Sequence, residues 1–103
     1  MIIIVNVSEE YYEKIKDAAC FGKELLENEG FIHASTCEQF PLIIPRLEKK
    51  GGSFMVLYID TDKLSSTVKW EYSKSLNQDF PHIYGEINQN AVVKAVKLSE
   101  YNK

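Results

Sequence analysis

Apolar residues fall along this chain in short blocks, and the spacing within each block predicts a secondary-structure element. Residues 2–7 are mostly β-branched and predict a first, largely buried strand. Ser8 is placed to cap a following helix, in which Tyr11, Ile15 and Ala18 recur at helical spacing. We expect this helix to end near residues 20–22.

The next blocks predict a short strand and a second helix. Leu25 and Leu26 are expected to add only a short turn, and residues 31–34 follow Gly30 as a strand. Residues 35–39 then satisfy the capping-box pattern twice, so a helix should begin there. Two prolines, at positions 41 and 45, predict a kink or a delayed start, and two glycines at 51 and 52 predict its end.

Strands dominate the second half of the chain. Residues 54–59 form the longest apolar run and predict a central strand covered on both faces. Residues 67–72 alternate, which places Trp70 on one face, where we expect it to fill the core, and Glu71 on the other. Residues 83–87 and 91–98 are expected to pair as a hairpin.

This order of elements predicts one α+β domain over residues 1–103. Its sheet should be mainly antiparallel and split, with two helices in the N-terminal half. With 103 residues, such a domain can bury a core without disulfides or metals.

Charge and cysteine content narrow the function classes. The chain carries 12 basic and 15 acidic residues, and its longest basic run is Lys49-Lys50, so a DNA partner is not expected. Cys20 and Cys37 lack a C-x-x-C spacing and are expected to be reduced thiols. The first apolar run is too short for a signal peptide or a membrane span. We therefore expect a soluble, cytoplasmic protein.

The two histidines lie in the two segments with the most site-like composition. Residues 30–36 read GFIHAST and residues 80–85 read FPHIYG; we call them the first and second histidine segments. In a strand, alternate residues share a face, so His33 should project with Phe31 and Ser35, and His82 with Tyr84. If the segments are neighbours, these side chains would line one pocket.

The residues around the two histidines have structural as well as functional interpretations. Ser35 and Thr36 could bind a phosphate or a ribose hydroxyl, or simply cap the helix. Pro81 and Gly85 bracket the second segment, and the glycine would allow a positive φ or the close approach of a ligand.

Other chemistries are less well supported by the sequence. Glu71 would supply a carboxylate if it shares the histidine face, and Glu86 is the competing acid. A metal site made of both histidines and one carboxylate is conceivable, but two distant histidines carry little specificity. Cys37 has no base in its local segment and is interpreted as a small buried thiol.

Taken in order, several short motifs resemble a known family, domain of unknown function 952. They are Glu29 to Thr36 with Glu38-Gln39, Leu57-x-Ile59-Asp60, Trp70-Glu71, Phe80 to Gly85 and Ala91-Val92-Val93. The resemblance spans residues 25–98. The family is considered similar in fold to ADP-ribosyltransferases, whose split antiparallel sheet holds NAD, so it implies an ADP-ribosyltransferase-like fold.

The resemblance also implies roles for individual residues. His33 would bind a ribose hydroxyl, with help from Ser35. Either Tyr84 or His82 would line the pocket for the base. Glu71 would be the acid that stabilises positive charge or positions the ligand. Those implied roles make His33, Glu71 and His82 the candidate catalytic residues. The candidate ligand-binding residues are Phe31, Ser35, Thr36, Gln39, Tyr84 and Gly85.

The sequence leaves three functions open. The first is binding of NAD, as a substrate, or of another ADP-ribosyl compound, with transfer of ADP-ribose. The second is a non-catalytic small-ligand or regulatory module that uses the same pocket, favoured because no late glutamate stands in the ADP-ribosyltransferase pattern. The third, a protein-interaction domain, would need one broad apolar patch, and the aromatic residues are scattered instead. The oligomeric state is not predictable from these patterns.

Overall fold

The computed structural model describes residues 1–101, which fold into three helices and nine strands. The helices are α1 (Glu9–Ile15), α2 (Lys23–Glu29) and α3 (Phe40–Lys50). The strands are β1 (Ile2–Ser8), β2 (Cys20–Phe21), β3 (Ile32–His33), β4 (Ser35–Thr36), β5 (Phe54–Asp60), β6 (Thr67–Ser73), β7 (Gln78–Tyr84), β8 (Ile87–Asn88) and β9 (Val92–Lys97). Short 3-10 turns occupy Gln89–Ala91 and Leu98–Glu100. None of the helices within residues 1–101 combines the length and the apolar character that crossing a membrane requires.

The strands form a split antiparallel arrangement, as the α+β prediction required. One sheet has the order β4-β1-β5-β9, a second has the order β3-β7-β6, and β2 pairs with β8. The chain crosses from the second sheet to the first at Ala34, between β3 and β4. Its amide donates to the carbonyl of Pro81 at 3.1 Å, which ties the crossing point to β7.

Strands β1 and β5 separate two hydrophobic clusters. Alternate residues of β5 point to opposite faces, so Leu57 packs in the larger cluster and Val56 in the smaller one. Helix α3 covers the smaller cluster with Phe40 and Leu47. The larger cluster includes Ile32 and Ile83 from the second sheet. The prediction of a central strand covered on both faces is confirmed.

Several predicted boundaries are wrong. Helix α1 ends at Ile15, because residues 20–21 pair with β8 instead of continuing the helix. The expected turn at Leu25-Leu26 is a full helix, α2, so three helices precede β5 instead of two. Helix α3 begins only at Phe40, which agrees with the delayed start that the prolines predict.

The predicted C-terminal hairpin does not form. β9 pairs with β5, and β8 pairs with β2 near the start of the chain. The predicted strand over residues 91–98 corresponds to β9, but residues 83–87 span the end of β7 and the start of β8. The sequence pattern carried no information about strand partners, which lie far away in sequence. Trp70 is also placed differently from the prediction: β6 is the edge strand of its sheet, and 46% of the tryptophan remains exposed.

Candidate functional site

The two histidine segments form neighbouring strands. β3 pairs with β7 so that His33 lies directly opposite His82, and Ile32 lies opposite Ile83. Directly opposite residues point to the same face of a sheet, so the isoleucines enter the core while the imidazoles lie together outside it. The two imidazole centroids are 5.3 Å apart.

Phe31 packs against both imidazole rings. Its ring stacks on His82 with centroids 4.1 Å apart and meets His33 edge-on at 4.8 Å. Tyr84 lies two residues beyond His82 on the same face, 5.6 Å from the Phe31 ring. We call Phe31, His33, His82 and Tyr84 the aromatic cluster.

Glu71 is the carboxylate of this cluster. It reaches His82 diagonally from β6 and accepts a hydrogen bond from Nδ1 at 2.7 Å. The same oxygen accepts the Tyr84 hydroxyl at 2.5 Å. These two bonds, the one from Tyr84 first, hold the pKa of Glu71 below its ordinary value. The bond to Glu71 in turn raises the pKa of Tyr84.

The ionised carboxylate determines where the proton lies on the second imidazole. Glu71 with a lowered pKa is an acceptor only, so Nδ1 of His82 must carry the hydrogen of their shared bond. In the neutral imidazole, Nε2 is then a hydrogen-bond acceptor. His82 therefore has the form of a base held by a carboxylate, an arrangement that suits contact with a hydroxyl group.

A cleft of about 270 Å³ opens beside the aromatic cluster at the split between the sheets. His33 and His82 line it from β3 and β7, and Ser35 lines it from β4 although only 3% of that residue is exposed. The other lining residues are Asn6, Ala34, Ile43, Arg46, Tyr72, Ser73, Leu76 and Phe80. This main cleft contains one arginine and no carboxylate among its lining residues.

A second cleft, of about 300 Å³, lies on the other side of the first histidine. It shares Asn6 and His33 with the main cleft and adds Phe31, Glu29 and Lys50. The Glu29 carboxylate contacts Nε2 of His33, because the two lie close together across the α2–β3 turn. His33 thus stands between the two clefts, with two-thirds of its side chain exposed.

Three of the candidate ligand-binding residues have structural partners. Thr36 and Gln39 exchange reciprocal hydrogen bonds of 3.0 Å each, the bond pattern of the predicted capping box, but these bonds close the turn that precedes α3 and do not cap the helix. Gly85 has no positive φ; instead, a Cβ there would clash with the Ser66 side chain. These three residues line neither cleft, and their ligand-binding role stays a prediction.

Glu71 and Tyr84 also lie outside the lining of both clefts. Glu71 bonds to His82, which lines the main cleft, and Tyr84 bonds to Glu71 and lies beside the Phe31 ring, so their place in the site is to orient these rings. Tyr84 carries Lys69 Nζ over its ring face at 4.8 Å from the centroid. The competing acid, Glu86, contacts the Cys20 thiol instead, so it is not part of this cluster.

The sequence interpretation missed Arg46 and Asn6. Asn6 is the single polar residue inside the apolar run of β1, and that break was a usable signal. Arg46 is the only arginine in the chain, which also has eleven lysines. The helical pattern around it does not indicate which surface it faces. Within residues 1–101, no group of three His, Cys, Asp or Glu side chains is arranged to hold a metal ion.

The fold and site define a small α+β domain with split antiparallel sheets and a histidine–aromatic cluster at the split. This chain belongs to the family described as "Protein of unknown function (DUF952)", whose sequence pattern matches residues 6–95. The match includes both histidine segments, Glu71 and Arg46.

Solved structures show the same fold. The crystal structure of CC0527 from Caulobacter crescentus is 23% identical, with a TM-score of 0.79, and the alignment covers 94% of this chain and 85% of that protein. The solution NMR structure of CC0527 gives a TM-score of 0.71 at 24% identity, covering 92% and 82% of the two chains. Among curated proteins, no significant match is found.

Proposed function

We propose that the main cleft binds NAD or another ADP-ribosyl compound. The observation that carries this proposal is the pairing of His33 with His82 across β3 and β7, with Phe31 stacked on the second ring. Aromatic rings suit a planar base, and imidazole and hydroxyl groups suit ribose. The family's considered similarity to ADP-ribosyltransferases points to the same ligand class.

Each residue then has a distinct role. His33, which is exposed and lies between the two clefts, binds a ribose hydroxyl. Ser35 adds a hydroxyl to the lining of the same cleft from β4. His82 contributes its ring and Nε2, and Phe31 supports that ring by stacking. Glu71 and Tyr84 are positioning residues, since Glu71 bonds to His82 and Tyr84 bonds to the same carboxylate oxygen.

The hydrogen bond from His82 to Glu71 is the observation that favours turnover. In a transfer reaction, the bond between ribose C1′ and the nicotinamide nitrogen breaks, and a bond forms between C1′ and an acceptor oxygen. The proton of the acceptor hydroxyl must leave, and Nε2 of His82 is the base available to receive it. Nicotinamide departs as the neutral leaving group.

A different observation favours the second candidate, a non-catalytic ligand-binding module. The oxocarbenium-like state of such a transfer carries positive charge, which a nearby carboxylate would stabilise. The main cleft has no carboxylate among its lining residues, because Glu71 lies on the far side of His82. Binding without turnover is the expected behaviour if no other carboxylate reaches the ligand.

Ligand-observed NMR with NAD, ADP-ribose and nicotinamide tests the proposal. We expect NAD or ADP-ribose to bind the unmodified protein and not His33→Ala, whose replaced side chain is too exposed to support the core. Lys97→Ala, an exposed residue of β9 on the other sheet, is the matched control and should bind normally. Retained affinity in a folded His33→Ala variant would refute the assignment of the site.

Turnover is decided separately by chromatography of NAD incubated with the protein and a range of hydroxyl acceptors. Release of nicotinamide that disappears in His82→Asn supports transfer. Saturable binding with no release of nicotinamide supports the non-catalytic module.

A further inference from the structure

The only arginine of this chain lies in the main cleft. Arg46 is in the second half of α3, and it lines the cleft together with Ser35, His33 and His82. The other eleven residues that make up the basic total of 12 are lysines, and none of them lines this cleft. Arginine differs from lysine in offering a planar fork of donors that matches the oxygens of a phosphate or carboxylate.

The charge of Arg46 is not neutralised by the protein within residues 1–101. Its Nη2 donates to the neutral hydroxyl of Ser75 at 2.7 Å, and no ion pair joins it to a carboxylate in this part of the chain. The residues that line the cleft include no aspartate or glutamate. Arg46 is therefore the one permanently charged side chain among the lining residues, although the whole chain has a net charge of −3.

The hydrogen bond to Ser75 orients the guanidinium without occupying all of its donors. Ser75 lies in the turn between β6 and β7, so the bond joins α3 to the opposite wall of the cleft. Five N–H donors belong to a guanidinium, and one hydroxyl leaves most of them available. A preoriented cation with unused donors is what an anionic ligand group requires.

We propose that Arg46 binds the phosphate groups of the ligand and makes the cleft specific for phosphorylated ribosides. This proposal rests on the proposed function, because it assigns one part of the same ligand. The ribose would contact His33 and Ser35, and the phosphate oxygens would contact Arg46 on the α3 side. An unphosphorylated riboside would give Arg46 no anionic group to bind.

Titrations with ADP-ribose and with nicotinamide riboside, which has no phosphate, test the assignment. We expect Arg46→Gln to weaken ADP-ribose binding by about tenfold or more, since a charge-assisted bidentate contact is lost. Arg46→Lys should give an intermediate affinity, because it keeps the charge but not the fork. The affinity for nicotinamide riboside should change by less than about twofold in either variant.

Lys49→Gln is the matched control, because it removes one positive charge from the same helix outside both clefts. It should bind ADP-ribose as the unmodified protein does. If Lys49→Gln weakens binding as much as Arg46→Gln, the effect is long-range charge and the assignment to Arg46 is wrong. Circular dichroism of each variant verifies that the fold is intact.

The failure of this proposal differs from the failure of the proposed function. If ADP-ribose binds equally to Arg46→Gln and to the unmodified protein, the phosphate role is refuted while the ligand class stands. If neither ADP-ribose nor NAD binds the unmodified protein, the proposed function is refuted. Inorganic pyrophosphate then decides the remaining question: binding that depends on Arg46 supports an anion site, and its absence overturns it.

Discussion

A single carboxylate oxygen, Oε1 of Glu71, accepts hydrogen bonds from two side chains of the aromatic cluster. The bonds from His82 and Tyr84 are 2.7 and 2.5 Å long. They lower the pKa of Glu71 and raise that of Tyr84. The arrangement is therefore complete at neutral pH. It is lost as the pH falls through the lowered pKa of Glu71, or rises through the raised pKa of Tyr84.

Glu71→Gln should lower the pKa of Tyr84 towards its ordinary value. Ionising Tyr84 beside a carboxylate places two negative charges together and removes a donated hydrogen bond, whereas a neutral amide causes no such repulsion. The measurement is an NMR titration of the labelled tyrosine ring carbons. Tyr58 is an internal control. Its pKa is raised mainly by burial, so Glu71→Gln should not change that pKa. A Tyr84 pKa that stays raised in the variant would contradict the structure.

At the scale of residues, the sequence predicted which side chains share the site better than it predicted what each does. Period-two alternation predicts Phe31, His33 and Ser35 on one face and His82 with Tyr84, and the structure brings Phe31, His33, His82 and Tyr84 together. Ser35 lies in β4 of the other sheet, where it lines the main cleft with His33. Glu71 joins them because its alternation puts it on the face opposite Trp70. The position of Arg46 in the cleft could not be predicted from the sequence, because it depends on how α3 packs against the strands.

At the scale of elements, the start of α3 is joined to the start of β7 by one side chain. The Gln39 amide nitrogen donates to the Asp79 carbonyl at 2.7 Å and to Gln78 Oε1 at 3.0 Å. Its oxygen accepts a hydrogen bond from the Thr36 amide, which closes the turn that precedes α3. The residue thus holds the helix that carries Arg46 against the strand that carries His82.

Gln39→Ala should destabilise the protein by about 1–2 kcal/mol, because it leaves the Thr36 amide and the Asp79 carbonyl without these side-chain partners. Urea denaturation measures the loss, and Glu38→Ala, an exposed neighbour, should change stability little. Ligand affinity in Gln39→Ala shows whether Gln39 has a structural role or contacts the ligand. We expect it to be nearly unchanged, and a selective loss of affinity without a loss of stability would instead support the predicted ligand contact.

Caps and strand faces are local properties, and the sequence predicted them well. Ser8 accepts the Tyr11 amide at 3.0 Å as expected, and Gly51 ends α3 with a φ of 79°. Strand partners are not local. The pairing of β5 with β9 and of β2 with β8 joins residues distant in sequence, so a hairpin between adjacent strands was the natural but wrong prediction.

At the scale of the whole molecule, the site and the core use opposite faces of the same strands. In β3 and β7, Ile32 and Ile83 are 2% and 0% exposed, while the histidines beside them face the cleft. The sheet can therefore present the aromatic cluster on a backbone fixed by the core.

This division predicts that stability and ligand binding are separable. Phe40 is fully buried between α3 and the first sheet, so Phe40→Ala should lower the free energy of unfolding by about 3–5 kcal/mol. Phe31 is only partly buried and contacts mainly other rings of the aromatic cluster, so Phe31→Ala should cost about 1–2 kcal/mol. ADP-ribose titration should show the larger loss of affinity for Phe31→Ala.

Urea denaturation of both variants beside the unmodified protein provides the stability measurement. A single transition is expected in each case, because β1 and β5 contribute to both hydrophobic clusters and link them into one cooperative unit. Equal losses of stability in the two variants would show that the aromatic cluster belongs to the core. Two separate transitions in Phe40→Ala would show that α3 and its cluster unfold independently of the sheet that holds the site.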